Sequence, residues 1–161
     1  MSELNEADQR LISNVEEFGC HILWVFDPEG EGLDFAYSIG FEATVRQPDV
    51  LISGLPSSTS KSLINDTLAL CREGFELSDF ARTDRLIDGY DCVFRSVRED
   101  CLVPDYFGTA FWYYRTQTQL PMTRAVQMVW PDRSGVFPWE QGFDQSFRDN
   151  QDELWAKEAV H

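Results

Sequence analysis

Short extended segments constrain the fold of this chain more than any other feature of its sequence. Several apolar runs rich in β-branched and aromatic residues have the length of a strand and end at glycine, proline or acidic turn residues. They predict strands over 20–26, 35–39, 50–53, 80–87, 90–97 and 125–130. The Asp88-Gly89 dipeptide between two of them favours the positive φ angles of a tight hairpin. The sequence therefore predicts a sheet in which most neighbouring strands are antiparallel.

Helical spacing occurs in the segments between these strands. Apolar residues at three- and four-residue steps predict a helix over 3–18 that ends at Gly19. A second helix is expected over 58–73, with the hydroxyls of residues 57–59 capping its first amides. Between 104 and 118 the aromatic side chains form one helical stripe, from which Trp112 points away. The predicted fold class is therefore α+β, with residues 1–161 as a single domain whose mostly antiparallel mixed sheet is packed by three to four helices.

The charge balance excludes some partners. Of the 161 residues, 28 are Asp or Glu and 13 are Lys or Arg, which gives a formal net charge of −15. A chain this acidic repels phosphate backbones, so we expect neither nucleic acid nor a membrane surface as partner. Residues 1–80 hold 15 of the acids and 4 of the bases. This negative field either steers a basic partner or serves only solubility.

Motifs for metal binding or catalysis are missing from the sequence. Cys20, Cys71, Cys92 and Cys101 lack CxxC spacing and lie in apolar stretches, so we interpret them as reduced thiols of the core. His21 is interpreted as a structural residue, and the other histidine, His161, ends the chain. We therefore expect no metal, no cofactor and no catalytic residue. The acidic N-terminal segment lacks the features of a signal peptide, which predicts a cytoplasmic location.

Several short motifs resemble those of a known family when they are taken in order. They are Tyr37-Ser38-Ile39-Gly40-Phe41, Gln47-Pro48-Asp49, Asn65, and a late group made of Gln127, Pro131, Asp132, Pro138 and Trp139. Over roughly residues 10–140 the chain resembles a bacterial family known only as domain of unknown function 4262. The resemblance implies no reaction, cofactor or substrate.

One position departs from that family pattern. Gln47 stands where the family has the histidine of a His-Pro-Glu motif. A glutamine side chain forms hydrogen bonds but does not titrate. An activity of the family that needs that imidazole would therefore be lost or altered in this chain.

Two functional hypotheses follow from the residues. The first is a non-catalytic acidic binding protein, for example an immunity protein or antitoxin that neutralises a basic toxin. Its candidate partner-binding residues are Asp27, Glu29, Glu31, Asp34, Glu42 and Trp112. The rings of residues 106–114 also offer a patch for a homodimer.

The alternative is an enzyme or a small-ligand-binding protein with a polar pocket. Its candidate residues adjoin apolar strands at the ends of elements, where binding sites commonly form. They are Tyr37, Ser38, Gln47, Asp49, Asn65, Gln127 and Asp132. The same polar side chains are also suited to capping turns and satisfying buried amides.

Overall fold

A computed structural model describes residues 4–26, 29 and 33–155 of the chain. All six predicted strands form, and they make one mixed sheet in the order β1-β2-β3-β6-β5-β4. The strands are β1 His21–Val25, β2 Phe35–Ile39, β3 Asp49–Ser53, β4 Ala81–Ile87, β5 Tyr90–Ser96 and β6 Ala125–Val129. The strands β3 and β6 pair in parallel, whereas the other neighbouring strands are antiparallel. The predicted α+β class with a mostly antiparallel mixed sheet is confirmed.

Helices cover both faces of this sheet. The longer ones are α1 Glu6–Phe18, α3 Ser57–Arg72 and α4 Pro104–Tyr113. Helix α1 is capped by Asn5 and ends at Gly19, whose φ of 98° provides the left-handed turn that the sequence predicts. The predicted hydroxyl cap of α3 is wrong, because Pro56 occupies the N-cap position and no side chain bonds there. Its fixed φ suits the start of a helix without such a cap.

The two faces have separate hydrophobic cores. Beneath α3 lies a cluster that includes Ala36, Val50, Ile52, Ile64 and Leu68. On the opposite face, α1 and α4 pack against the alternate residues of the same strands. This second cluster includes Leu11, Val15, Tyr37, Leu51, Phe107 and Ala110. The alternation along β2 and β3 is therefore that of a central sheet with both faces covered.

Shorter elements, which the sequence pattern does not predict, lie between these. A five-residue helix, α2 Phe41–Val45, joins β2 to β3. A π-helical turn, Tyr114–Thr118, continues α4, and 3₁₀ turns form at Glu99–Cys101 and Gln145–Asn150. Helix α2 and the π-helical turn flank the start of β3, where the site described below is found.

Four cysteines are buried as free thiols. Burial raises the pKa of Cys20 and Cys92 to about 12 and that of Cys71 to about 11. The thiols of Cys20, Cys71 and Cys92 therefore remain protonated and unreactive at neutral pH. Within residues 4–26, 29 and 33–155, no helix has both the length and the apolar character needed to cross a membrane.

Candidate functional site

A buried carboxylate lies at the first residue of β3. Asp49 is 1% exposed. One of its oxygens accepts hydrogen bonds from the Ser38 hydroxyl at 2.7 Å and from the Phe41 amide at 2.9 Å. The other accepts from the Gly40 amide at 3.4 Å and from the Tyr114 hydroxyl. Donors from β2, α2 and the π-helical turn therefore converge on one acidic side chain.

Glycine at position 40 makes this convergence possible. The chain leaves β2 and enters α2 with Gly40 at φ 111°, in the left-handed region that side chains disfavour. A β-carbon at this position would lie 2.8 Å from the Cγ1 methyl of Val15 in α1. The sharp turn directs successive backbone amides toward Asp49 and Tyr114.

Tyr114 is the second buried polar group of the site. Its hydroxyl donates to Asp49 and accepts from the amides of Gly40 at 3.1 Å and Glu42 at 3.3 Å. The residue begins the π-helical turn, a form of helix that occurs often at functional sites. The hydroxyl thus links the carboxylate of Asp49 to the first turn of α2.

Burial changes the proton affinity of both groups. Removal from water raises the pKa of Asp49 from 3.8 to about 6, and the hydrogen bonds from Tyr114 and Ser38 limit that rise. Burial and the neighbouring Asp49 charge raise the pKa of Tyr114 above its usual range. Asp49 therefore titrates just below neutral pH, while Tyr114 keeps its proton.

A cavity of about 560 Å³ opens beside this pair. Asp49 and Tyr114 are its two buried lining residues. The remaining lining consists of residues of α2, the end of the π-helical turn and the loop that follows. These are Glu42, Ala43, Arg46, Thr118, Leu120, Pro121, Met122, Thr123 and Arg124. The lining of the cavity thus combines apolar residues with charged ones.

An ion pair joins two of the charged residues that line the cavity. Arg124 donates to both carboxylate oxygens of Glu42, at 3.2 and 3.0 Å, in the two-point geometry that strengthens such pairs. The same guanidinium donates to the backbone carbonyl of Arg46 at 3.1 Å. Arg46 ends α2 at φ 60°, a left-handed conformation that is uncommon for a side chain other than glycine. Arg124 therefore connects both ends of α2 to the loop before β6.

A family model matches the part of the chain that contains this site. A model described as domain of unknown function DUF4262 matches residues 14–144, most of the chain. The chain belongs to the DUF4262 family. Asp49, Tyr114 and the residues that line the cavity all lie within the span that matches DUF4262. No curated protein matches the chain, and no solved structure does either.

Of the seven residues in the predicted polar pocket, the structure brings together two. Ser38 bonds Asp49 directly. Tyr37 is buried in the core that contains α1 and α4, where its ring packs edge-on against Phe107. Gln47 accepts a hydrogen bond from the Leu77 amide at 2.8 Å.

The other three predicted pocket residues lie elsewhere. Asn65 is exposed on α3. Gln127, on β6, bonds the backbone of Asp152 and Leu154 and so holds the C-terminal segment against the sheet. Asp132 accepts from the amides of a turn, and those of Val136 and Asp144 lower its pKa. Gln127 and Asp132 thus satisfy backbone groups, and none of the three residues lines the cavity beside Asp49.

The predicted partner-binding residues also have different positions. Asp27 and Glu31 lie outside the described residues. Glu29 and Asp34 are exposed, and each interacts with another group of the protein. Glu42 is committed to Arg124. Trp112, which the stripe predicts to point away, is half-buried against the core that contains α1 and α4.

No metal site is evident in the part of the chain that the structure describes, where no three metal-binding side chains come together. His21 is half-buried, its Nδ1 lies 3.0 Å from the Asn14 amide nitrogen, and burial lowers its pKa. This bond between α1 and β1 suits a structural role.

Sequence reasoning missed Tyr114, Arg46 and Arg124 as site residues. Tyr114 belongs to the aromatic stripe of 104–118, and its spacing indicates only a core position. The arginines are separated by 78 residues, and only the parallel pairing of β3 with β6 brings them together. The one local signal was the position of Arg46 directly before the Gln47-Pro48-Asp49 motif.

Proposed function

We propose that this protein binds a small organic molecule in the cavity beside Asp49 and Tyr114. The observation that carries the proposal is the position of a fully buried carboxylate and a buried hydroxyl on the wall of an open cavity. Ligand sites are typically cavities of about 300–1,000 Å³ with apolar walls and a few converging polar groups. A titratable group with a shifted pKa inside such a cavity adds to the case.

A fragment screen with a blocked variant tests this proposal. Thr123 lies on the loop wall of the cavity and is exposed, so Thr123→Phe should occupy the space without disturbing the core. Thr116→Phe, at an exposed position of the π-helical turn that does not line the cavity, is the matched control. We expect small fragments to raise the Tm of the wild-type protein and of Thr116→Phe, but not of Thr123→Phe. Equal responses from all three proteins would place the ligands elsewhere and contradict the proposal.

A second proposal is that the acidic surface binds a basic protein, such as the toxin partner of an immunity protein. The net charge of −15 favours it, and several of the few arginines are already paired with acids, among them Arg82 and Arg85. Such binding would be fast at low salt and weak near 1 M salt, where the screening length is about 3 Å. The buried thiols suit a reducing compartment, so we propose a cytoplasmic location.

Charge neutralisation tests the second proposal against a basic toxin domain. Replacing Glu29, Glu31 and Asp34 with their amides should slow association at low salt. Neutralising the exposed acids Glu99, Asp100 and Asp105 removes the same charge from another part of the sequence and is the control. Equal association rates for the two triple variants would show that the 27–34 segment has no special part in recognition.

A further inference from the structure

The cavity contains one charged side chain that is not committed to another group. Arg46 lines the cavity and is exposed, and among the described residues its guanidinium has no hydrogen-bond or ion-pair partner. A guanidinium has five N–H donors in a fixed plane and is always charged at physiological pH. Arg46 therefore offers a cavity ligand a two-point contact for a planar anion.

The acidic groups of the same cavity are already paired. Both oxygens of Glu42 accept from Arg124, and both oxygens of Asp49 accept from side-chain and backbone donors. A cationic ligand would have to share the Glu42 carboxylate with Arg124, whose charge already balances it. An anionic ligand would gain Arg46 without breaking any of them.

Arg46 has an unusual backbone conformation. Its φ of 60° has an energetic cost for a residue with a β-carbon, and such conformations persist where surrounding contacts enforce them. Here the Arg124 guanidinium holds the Arg46 carbonyl at 3.1 Å, so the ion pair with Glu42 also fixes the last residue of α2. The cavity lining also includes the apolar residues Leu120, Pro121 and Met122, and Leu120 is 66% exposed. The cavity thus combines one free cation with a surface suited to a hydrocarbon or aromatic body.

We infer that the ligand is a small organic anion, whose carboxylate pairs with Arg46 while its apolar body lies against Leu120, Pro121 and Met122. This inference rests on the proposed small-molecule function of the same cavity. The net charge of −15 opposes anions at long range, so affinity has to come from short-range hydrogen bonds and apolar contact. Inorganic phosphate, which has no apolar body, is therefore not expected to bind.

Matched pairs of probes separate the role of the charge from the role of the cavity. Butyrate, phenylacetate and indole-3-acetate are each compared with the corresponding neutral amide by calorimetry at pH 7.5. Arg46→Gln removes the cation, and Arg10→Gln removes the same charge from the exposed surface of α1 as the control. A charge-assisted contact predicts that at least one carboxylate binds wild type about tenfold or more tightly than its amide. Arg46→Gln should remove that preference, and Arg10→Gln should keep it.

The possible outcomes distinguish the two proposals. Equal binding of carboxylate and amide, or a preference that survives in Arg46→Gln, overturns the anion inference but leaves the cavity as a binding site. Binding of the carboxylates to Thr123→Phe as tightly as to wild type means that they occupy another place, which overturns both proposals. If no carboxylate and no amide binds wild type, both are also overturned. Circular dichroism of Arg46→Gln tests whether a loss of binding comes from unfolding.

Discussion

Removal of the Tyr114 hydroxyl gives the most informative perturbation of the site. Tyr114→Phe keeps the ring in the core but deletes the donor to Asp49 and the acceptor for the amides of Gly40 and Glu42. The amide of Gly40 retains its contact with Asp49, whereas the amide of Glu42 loses its bond to the hydroxyl. The variant is therefore expected to fold and to be less stable.

The loss of stability in Tyr114→Phe depends on the charge of Asp49. A hydrogen bond to a charged group contributes about 1.5–3 kcal/mol, and one between neutral groups contributes about 0.5–1.5 kcal/mol. The unpaired Glu42 amide costs about 1 kcal/mol more at any pH. We therefore expect a loss of about 2.5–4 kcal/mol at pH 8, where Asp49 is ionised, and of about 2 kcal/mol at pH 4.5, where burial keeps it protonated.

Urea unfolding at the two pH values measures this difference. Since the Tyr114 hydrogen bond lowers the pKa of Asp49, its removal raises that pKa further and makes the loss of stability greater at high pH. Tyr113→Phe is the control, because the ring of Tyr113 is also buried but its hydroxyl has no hydrogen bond within the described residues. An equal loss for Tyr114→Phe at pH 4.5 and pH 8 would show that its hydroxyl does not stabilise an ionised Asp49.

Three further predictions concern the residues around the site and the end of the chain. Asp49 binds its proton more tightly in the folded state, so its contribution is most favourable at low pH and is lost as the pH rises from about 4 to about 6. The free energy of unfolding of wild type, measured with urea, should thus fall by about 3 kcal/mol relative to that of Asp49→Asn over that range. Parallel pH profiles of the two proteins would contradict this. Gly40→Ala should lower the free energy of unfolding by about 2–4 kcal/mol, because it adds a clash with Val15 to the backbone strain. The control Gly74→Ala has the same strain but open space around the new methyl group, so it should cost about 1 kcal/mol. Equal losses in thermal unfolding would refute the clash. Gln127→Leu removes the hydrogen bonds to the backbone of residues 152 and 154. Hydrogen exchange at the Leu154 amide should therefore accelerate by at least about tenfold, while amides in α3 stay protected. Unchanged exchange would show that other contacts hold the C-terminal segment.

The extended elements of the fold were accessible from the sequence because each carries a local signal. The strand at 35–39 is predicted with its observed bounds, since its apolar run ends at Gly40. The predicted hairpin at Asp88-Gly89 between β4 and β5 is confirmed, and its local signal is the dipeptide itself. Helix α2 lacked such a signal, because five residues are too few for a helical periodicity to appear.

The site was less accessible because its contacts are distant in sequence. Asp49 was among the predicted pocket residues, but its neighbours there were chosen by their polarity and their place at element ends. Tyr114 lies 65 residues away and reaches Asp49 only because α4 and its π-helical turn cross the same face of the sheet. The polarity of Gln127 and Asp132 instead serves backbone groups, which local sequence patterns do not distinguish from binding.

An NMR titration shows directly whether the cavity beside Asp49 and Tyr114 binds a small molecule. Backbone amide shifts of the ¹⁵N-labelled protein are followed while indole-3-acetate is added. We expect saturable shifts confined to residues around the cavity, led by the amides of Glu42, Arg46 and Thr123, and we expect these shifts to be lost in Thr123→Phe. Shifts that are absent at saturating probe, or that lie on another surface and persist in Thr123→Phe, would contradict this expectation.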